Sequence, residues 1–295
     1  MRHPIRRIRR ALVAITGATL ALALLAGLAG PGRFATSGGD AAGADPLPSG
    51  YWLTTRSGRV IAFGAAADHD DLDGRAPAPI VGIASRTAGD GYWLVDGDGT
   101  IYVLGAAGFH GSPAGLPPAG RVTDLSATRT GEGYWVATEN GEVYAFGDAS
   151  DHGDVAHLPL VSPIVGMATT PVGDGYWLVA SDGGLFAFGS ARFHGSLGGT
   201  PLSSPVVGMA SSPSGGGYWL VAADGAVYAH GDARYHGGAT ALPLVAPIAG
   251  IVPTADGDGY WLVALDGGVF AYGRAPFLGS NGGTIGTDPV VGLAS

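Results

Sequence analysis

A short segment of the form Gly-Tyr-Trp-Leu-Val, followed by a turn and a second apolar segment, recurs along this chain of 295 residues. Its tryptophans are Trp52, Trp93, Trp135, Trp177, Trp219 and Trp261. The second follows the first by 41 residues, and each later one follows at 42 residues. A fixed period of about 20–50 residues is typical of solenoids, propellers and other repeat arrays. The sequence therefore predicts a series of equivalent units with tryptophan at a structural repeat position.

Each unit contains four short apolar segments, and none has a helical period. Asp-Gly, Asn-Gly or Ser-Gly joins the first two, as at residues 182–183, which predicts a hairpin with positive φ at both central positions. The third reads Phe-His-Gly or Tyr-His-Gly, as at residues 193–195, and the fourth resembles residues 163–168, Pro-Ile-Val-Gly-Met-Ala. Four short strands in each of six units predict an all-β, six-bladed propeller.

The two ends of the array are out of phase with each other. The first unit begins at Tyr51 with the Tyr-Trp segment, while residues 289–295 match the fourth segment of the other units. If the fourth segment is the inner strand, the first blade lacks one until the end of the chain supplies it. We therefore expect residues 45–295 to form a ring that the C-terminal strand closes, which also removes exposed sheet edges.

The repeat also resembles known families. Residues 224–231, Asp-Gly-Ala-Val-Tyr-Ala-His-Gly, followed by Gly237 and Gly238, resemble the blade signatures of regulator of chromosome condensation and WD-type propeller repeats. The whole unit is more similar to tandem Gly-Tyr-Trp-Leu-Val repeats in secreted proteins of high-GC Gram-positive bacteria. This resemblance covers residues 50–295 and implies an exported propeller. No catalytic or exchange-factor residues carry over, because nothing outside the structural signature matches.

The first 44 residues have the composition of a targeting segment. Residues 2–10 are rich in arginine, residues 11–29 are apolar, and Ala-Gly-Ala at residues 42–44 fits a small-residue cleavage site. Two interpretations stay open: a signal peptide with a linker, and an uncleaved signal anchor. Both predict a secreted or extracytoplasmic protein, in contact with the membrane only through an uncleaved N-terminal segment.

Composition narrows the choice of partner. Six of the 15 basic residues but only one of the 24 acidic residues precede residue 45, so the rest of the chain has a formal charge of −14. A surface this acidic argues against nucleic acid. There is no cysteine, so disulfides and thiolate metal sites are excluded. We expect a monomer without a cofactor, whose partner is a cell-wall glycan or another protein.

A histidine recurs in the third segment of the first five units. These residues are His69, His110, His152, His194 and His236. Metal ligands must converge within about 2.0–2.3 Å of one ion, whereas equivalent positions on radially arranged blades point apart. We therefore predict no metal site and expect each histidine to be structural, bonded within its own blade to an acid such as Asp148 or Asp232.

Two acidic features invite a calcium interpretation. One is the set of acids between glycines before the Tyr-Trp pair, which are Asp90, Glu132, Asp174 and Asp258. Asp is also common in tight turns, and we prefer that explanation to a calcium ring. The other is residues 68–74, where Leu72 occupies a position at which the calcium loop needs a carboxylate.

The repeat symmetry breaks most clearly in the third unit. Asp124 replaces a glycine and Arg121 a proline of the fourth segment, while Arg129 replaces a proline and Arg86 a threonine. These four residues are our candidates for binding a ligand near the channel; the alternative is repeat drift with a local Arg–Asp pair. No catalytic motif stands out. We predict a binding or scaffold module at the cell envelope, with a glycan-acting hydrolase or lyase as the rival.

Overall fold

The computed structural model describes residues 50–116, 120–283 and 288–295, and the regular elements among them are all β-strands. Eighteen strands form six antiparallel sheets of three strands each. Each sheet is one blade of a six-bladed propeller, which confirms the predicted fold class. No helix in these described ranges is long and apolar enough to span a bilayer. The predicted targeting segment, residues 1–44, lies outside the described residues.

Every blade has an inner, a middle and an outer strand, and the blades are numbered here by the order of their middle strands. The middle strands are β1 (Gly50–Thr55), β4 (Gly91–Asp96), β7 (Gly133–Thr138), β10 (Gly175–Ala180), β13 (Gly217–Ala222) and β16 (Gly259–Ala264). The outer strands are β2 (Val60–Gly64), β5 (Ile101–Gly105), β8 (Val143–Gly147), β11 (Leu185–Gly189), β14 (Val227–Gly231) and β17 (Val269–Gly273). The inner strands, from blade 1 to blade 6, are β18 (Val290–Ala294), β3 (Ile80–Ser85), β6 (Val122–Ala127), β9 (Ile164–Thr169), β12 (Val206–Ser211) and β15 (Ile248–Pro253).

The Tyr-Trp pair of each middle strand forms the core between blades. Successive residues of a strand point to opposite faces, so each blade directs its tyrosine to one neighbour and its tryptophan to the other. Trp93 of blade 2 packs against Tyr134 of blade 3, with ring centroids 5.5 Å apart, and both side chains are fully buried. Trp261 of blade 6 packs against Tyr51 of blade 1 in the same way, at 5.4 Å.

The predicted exchange of the terminal strand is confirmed. Strand β18 pairs antiparallel with β1, with Trp52 opposite Ala294. The Tyr51 hydroxyl donates a hydrogen bond of 2.6 Å to the carbonyl oxygen of Gly279 in blade 6. The inner strands contact one another in a cycle, in the order β3, β6, β9, β12, β15, β18 and again β3. Blade 1 is therefore assembled from both ends of the propeller sequence.

The hairpins between middle and outer strands differ from the prediction. At residues 96–100, Asp96 N–H donates to the Thr100 carbonyl and Gly99 N–H donates to the Asp96 carbonyl, which leaves a three-residue loop. Only Gly99 has positive φ there, at 90°. The prediction of positive φ at both central positions was therefore wrong. A three-residue loop needs one left-handed residue at its end, and glycine adopts that conformation without a steric cost.

The prediction of four strands per blade was also wrong. The segment that contains the histidine forms no sheet ladder in the described residues; side chains hold its backbone instead. In blade 2, Trp93 Nε1 donates to the Gly108 carbonyl at 2.7 Å, and the hydroxyl of Tyr134 in blade 3 donates to the Gly111 carbonyl at 2.6 Å. We call this part of each unit the bridging segment, because it ties one blade to the next.

Candidate functional site

The six inner strands surround a central channel with a cavity of about 380 Å³. Each inner strand has a bulge where its register against the middle strand shifts, and bulges re-aim side chains. The extra residues at the bulges, from blade 1 to blade 6, are Val291, Val81, Thr123, Val165, Val207 and Ala249. All of them line the cavity, so the channel wall is largely aliphatic.

The wall that blade 3 contributes is different. Thr123, Asp124 and Ser126 of strand β6 all line the cavity. In the other five blades the matching residues are Val or Ala, then Gly, then Ala or Val. Asp124 is also the one ionisable side chain among the residues of the six inner strands. The symmetry break seen in the sequence is therefore a polar stripe along one side of the channel.

The Asp124 carboxylate connects two blades. Its Oδ1 accepts a hydrogen bond from the N–H of Leu125, and its Oδ2 accepts one from the N–H of Met167 in β9, both at 2.8 Å. The Asp124 side chain is partly exposed to the cavity, and the surrounding protein shields its carboxylate from bulk water. This burial raises the pKa of Asp124 to about 6, against the opposing effect of the two N–H donors.

The structure does not pair Asp124 with Arg121; the local Arg–Asp pair at these positions instead joins Arg86 to Asp90. Arg121 is exposed just before β6, where its N–H donates to Glu139 Oε1 at 3.1 Å and its carbonyl accepts the N–H of Glu139 at 2.8 Å. Arg121 contributes to a separate cavity of about 590 Å³, between blades 2 and 3 at the ends of their strands. The two residues therefore belong to different surfaces.

Arg86 and Arg129 lie beyond the other end of the inner strands. Arg86 Nη1 contacts both carboxylate oxygens of Asp90 at 2.9 Å, and Nη2 lies 3.4 Å from Glu132 of the next blade. Thr87 donates its hydroxyl to the Arg129 carbonyl at 2.9 Å, so the two arginine-bearing turns are adjacent. Asp90 and Glu132, two of the four acids in the calcium-ring hypothesis, thus hold Arg86 between blades 2 and 3.

Hydroxyl groups hold Asp174, the third of these acids, and also Asp232, which follows strand β14. Asp174 accepts hydrogen bonds from Ser190 and Thr170, and these donors hold the pKa of Asp174 below its ordinary value. Ser214 and Ser212 lower the pKa of Asp232 in the same way. Within the described ranges, no group of three or more His, Asp or Glu residues is placed to hold a metal ion.

The recurring histidines lie at the interfaces between blades. The His110 ring packs against Tyr134 of the next blade, with centroids 5.7 Å apart. A Cβ atom on Gly147, at the end of the next outer strand, would lie 2.9 Å from His110 Cγ, so glycine makes room for the ring. Each histidine contacts the tyrosine or closing glycine of a different blade.

The prediction that each histidine bonds to an acid of its own blade was wrong. Nε2 of His69 lies 3.0 Å from the Gly89 carbonyl oxygen in the next blade, and His236 makes the equivalent contact at 3.1 Å. Asp148 and Asp232 instead accept hydrogen bonds from hydroxyl groups at the start of their own middle strands. The histidines therefore link neighbouring blades.

A belt of exposed side chains runs around the bridging segments, at the position before the histidine, or before Leu278 in blade 6. In blades 2, 4, 5 and 6 this residue is aromatic and 60–63% exposed: Phe109, Phe193, Tyr235 and Phe277. In blades 1 and 3 it is Asp68 and Asp151. Blades 4, 5 and 6 are consecutive, so Phe193, Tyr235 and Phe277 occupy the same position in three neighbouring blades; we call these three residues the aromatic arc.

No family model matches this chain, and no curated protein sequence is similar to it. Two surfaces therefore stand out on geometry alone: the polar stripe in the channel and the aromatic arc. Sequence reasoning found Asp124 but missed Thr123 and Ser126, although a comparison of the six inner-strand segments would have exposed both. Their role became visible once the bulges had placed them on the channel wall.

Proposed function

We propose that this chain is an exported β-propeller that acts as a binding or scaffold module at the cell envelope, and that its ligand is a glycan. The observation that carries this proposal is the aromatic arc, with each ring 60–63% exposed at an equivalent place in neighbouring blades. Exposed apolar side chains that together form a patch mark interaction surfaces, and the arc places three aromatic rings on three consecutive blades. The Arg-rich and apolar N-terminal sequence supports export.

The chemistry of the arc suits a carbohydrate. One face of a sugar ring carries C–H groups that can stack on an aromatic ring, while its hydroxyl groups need polar partners at the edge. Arg192 and Arg234 are exposed and directly precede Phe193 and Tyr235. Two of the three positions therefore combine an aromatic platform with a hydrogen-bond donor, whereas Pro276 precedes Phe277. Aromatic and Arg side chains often dominate binding energies.

The bridging segment holds each aromatic residue firmly. On one side of Tyr235, the Arg234 carbonyl accepts a 2.7 Å hydrogen bond from Trp219 Nε1. On the other side, the His236 N–H donates to the Tyr260 hydroxyl at 3.0 Å. A platform whose backbone is already fixed loses little entropy when a ligand binds, which favours affinity.

The arrangement also suits a polymer. A chain of repeated sugars can contact several equivalent platforms at once, and the second and third contacts are then intramolecular. Linked contacts of this kind raise the apparent affinity by about 10²–10⁴-fold when the spacing of the ligand matches that of the sites. We therefore expect long glycans to bind better than their short fragments.

The rival function is a glycan-acting hydrolase or lyase at the channel mouth. Most glycosidases use two carboxylates on either side of the bond that is cleaved. The inner strands offer one carboxylate, Asp124, and both of its oxygens already accept backbone hydrogen bonds. The geometry of the inner strands therefore favours binding over catalysis.

A glycan array with the purified protein tests the proposal, followed by calorimetry with the best polysaccharide. The decisive variant changes Phe193, Tyr235 and Phe277 to Asp. The chain itself uses Asp at this position in blades 1 and 3, so the fold should tolerate the change. Phe109→Asp is the matched control, because Phe109 has no aromatic neighbour in blades 1 and 3.

We expect the triple variant to lose binding, and the control to keep most of it. If the triple variant and the unaltered protein bind the glycan equally well, the aromatic arc is not the binding surface. A different result is also informative: the protein binds no glycan but binds an envelope protein, and the triple variant no longer does. In that case the arc is a protein interface and the glycan proposal fails.

A further inference from the structure

We propose that the central channel is a second binding site, for a small organic cation with an alkyl chain, and that Asp124 is its counter-ion. This site is separate from the aromatic arc on the outer bridging segments. The proposal does not depend on the glycan proposal, because it rests on the channel wall alone.

The charge of Asp124 has no cationic partner in the described part of the protein. The ion pairs there join Arg86 to Asp90 and to Glu132. The six inner strands carry no basic side chain, and Arg121 belongs to another cavity. Buried charges are as a rule paired, because an isolated charge away from water is costly. A cationic ligand would supply the missing charge.

The carboxylate is fixed in position and can still accept hydrogen bonds. Two backbone N–H groups, from Leu125 and Met167, hold one oxygen each at 2.8 Å. An ionised carboxylate has about four lone-pair sites, so about two remain available. Ser126, two residues further along the same strand, also lines the cavity and adds a hydroxyl group to the polar stripe. The carboxylate can therefore accept hydrogen bonds from an ammonium group.

The rest of the wall selects the kind of cation. Val81, Val165, Val207 and Val291 line the cavity from four other blades. A small metal ion needs several oxygen or nitrogen ligands, and no group of three candidate ligands converges in the described residues. An alkylammonium ion, by contrast, needs one anionic contact for its head and apolar surface for its chain. The wall supplies both.

The cavity has a suitable size. Its volume of about 380 Å³ lies within the range of about 300–1,000 Å³ that is usual for small-molecule sites. At the position of Asp124 the other five blades have glycine, which has no side chain to project into the channel. The glycines therefore leave the space that the ligand would occupy.

The two internal methionines provide reporters for a titration. Met167 donates its N–H to Asp124, and Met209 lines the cavity one blade further on. We would label the methionine methyl groups with ¹³C and titrate the protein with n-butylammonium at neutral pH. n-Butanol, which has the same shape but no charge, serves as the matched probe.

Two variants remove the charge in different ways. Asp124→Asn keeps the shape of the side chain, and Asp124→Gly restores the residue of the other five blades. A third variant, Asp124→Gly with Gly250→Asp, moves the carboxylate to blade 6. A Cβ atom on Gly250 would lie 3.9 Å from its nearest neighbour, Val263, so the site has room for an aspartate side chain.

We expect n-butylammonium to shift the Met167 resonance more than that of Met209 and to bind more tightly than n-butanol. Loss of a buried charge partner should weaken its binding about tenfold or more in both single variants. The relocated carboxylate should restore binding and move the larger shift away from Met167. Binding should also lower the pKa of Asp124.

The proposal is overturned if n-butylammonium causes no saturable shift, or if it binds no better than n-butanol. Equal binding by the unaltered protein and Asp124→Gly would also overturn it. Because Asp124→Gly gives blade 3 the residue that the five other blades have at this position, we expect it to fold, and its melting temperature provides the check.

Discussion

Replacing Asp124 with glycine should change how the stability of this protein depends on pH. The substitution removes the one ionisable side chain of the inner strands and gives blade 3 the residue that the other five blades already have. The hydrogen bonds to Leu125 and Met167 are lost at every pH. The effect of ionisation, in contrast, appears only in the pH range where Asp124 titrates.

The pKa of Asp124 gives the sign and the size of this effect. Burial raises it from 3.8 to about 6, so the folded protein binds more protons than the unfolded chain between these values. The stability that protonation contributes is fully present below the unfolded pKa and is lost as pH rises through the folded pKa. About two pKa units correspond to at most ~3 kcal/mol, and water in the channel reduces this amount.

The measurement is urea unfolding of both proteins from about pH 4 to pH 8, with the difference in unfolding free energy taken at each pH. Acids such as Asp174 and Asp232, whose pKa values are lowered, contribute stability that is fully present above their unfolded pKa values and is lost in stronger acid. They are present in both proteins, so their contribution cancels in the difference. Relative to the unaltered protein, Asp124→Gly should gain stability as pH rises.

Asp232→Ala provides a control without this pH dependence. Hydroxyl groups lower the pKa of Asp232 below 3.8, so the stability that its charge contributes is already present at pH 4, and the cost of its removal should be nearly constant from pH 4 to pH 8. The reasoning about Asp124 fails if the difference between the unaltered protein and Asp124→Gly is flat across this range. It also fails if the variant loses stability as pH rises.

Three further predictions concern closure, the histidines and export. Deleting residues 289–295 removes β18 from β1, so the shortened protein should aggregate or melt at a much lower temperature; an unchanged melting temperature would contradict closure by this strand. His194→Ala should lower the unfolding free energy by about 1–3 kcal/mol through lost packing against Tyr218, with unchanged metal content; stoichiometric metal that disappears with the side chain would refute a structural role. Residues 1–50, fused to a reporter that is active only outside the cytoplasm, should give signal, and a silent reporter would argue against export.

The bridging segments show why some of the fold could not be read from the sequence. Their spacing suggested a fourth strand, because the residues are extended and partly apolar. In the structure, the indole of Trp93 and the hydroxyl of Tyr134 occupy the Gly108 and Gly111 carbonyls that a strand ladder would use. Only the arrangement of two neighbouring blades brings these side chains to the segment.

The candidate site was predictable only in part. Asp124 stood out because glycine is its counterpart in the five other repeats, yet its partners are the N–H groups of Leu125 and Met167, not Arg121. Likewise, the sequence placed an aromatic residue before the histidine in three blades and before Leu278 in blade 6, but the exposure of Phe193 and its neighbours depends on how the bridging segments fold over the outer strands.

The sequence by itself determined the all-β class, the six blades and the strand exchange between Trp52 and Ala294. These features follow from a local pattern that is repeated at a fixed period, and from the phase of its two ends. Tertiary structure decided the partners of Asp124, the links made by the histidines and the polar stripe in the channel. Each of these depends on contacts between blades, and a sequence pattern does not specify which atoms of neighbouring blades come within hydrogen-bonding distance.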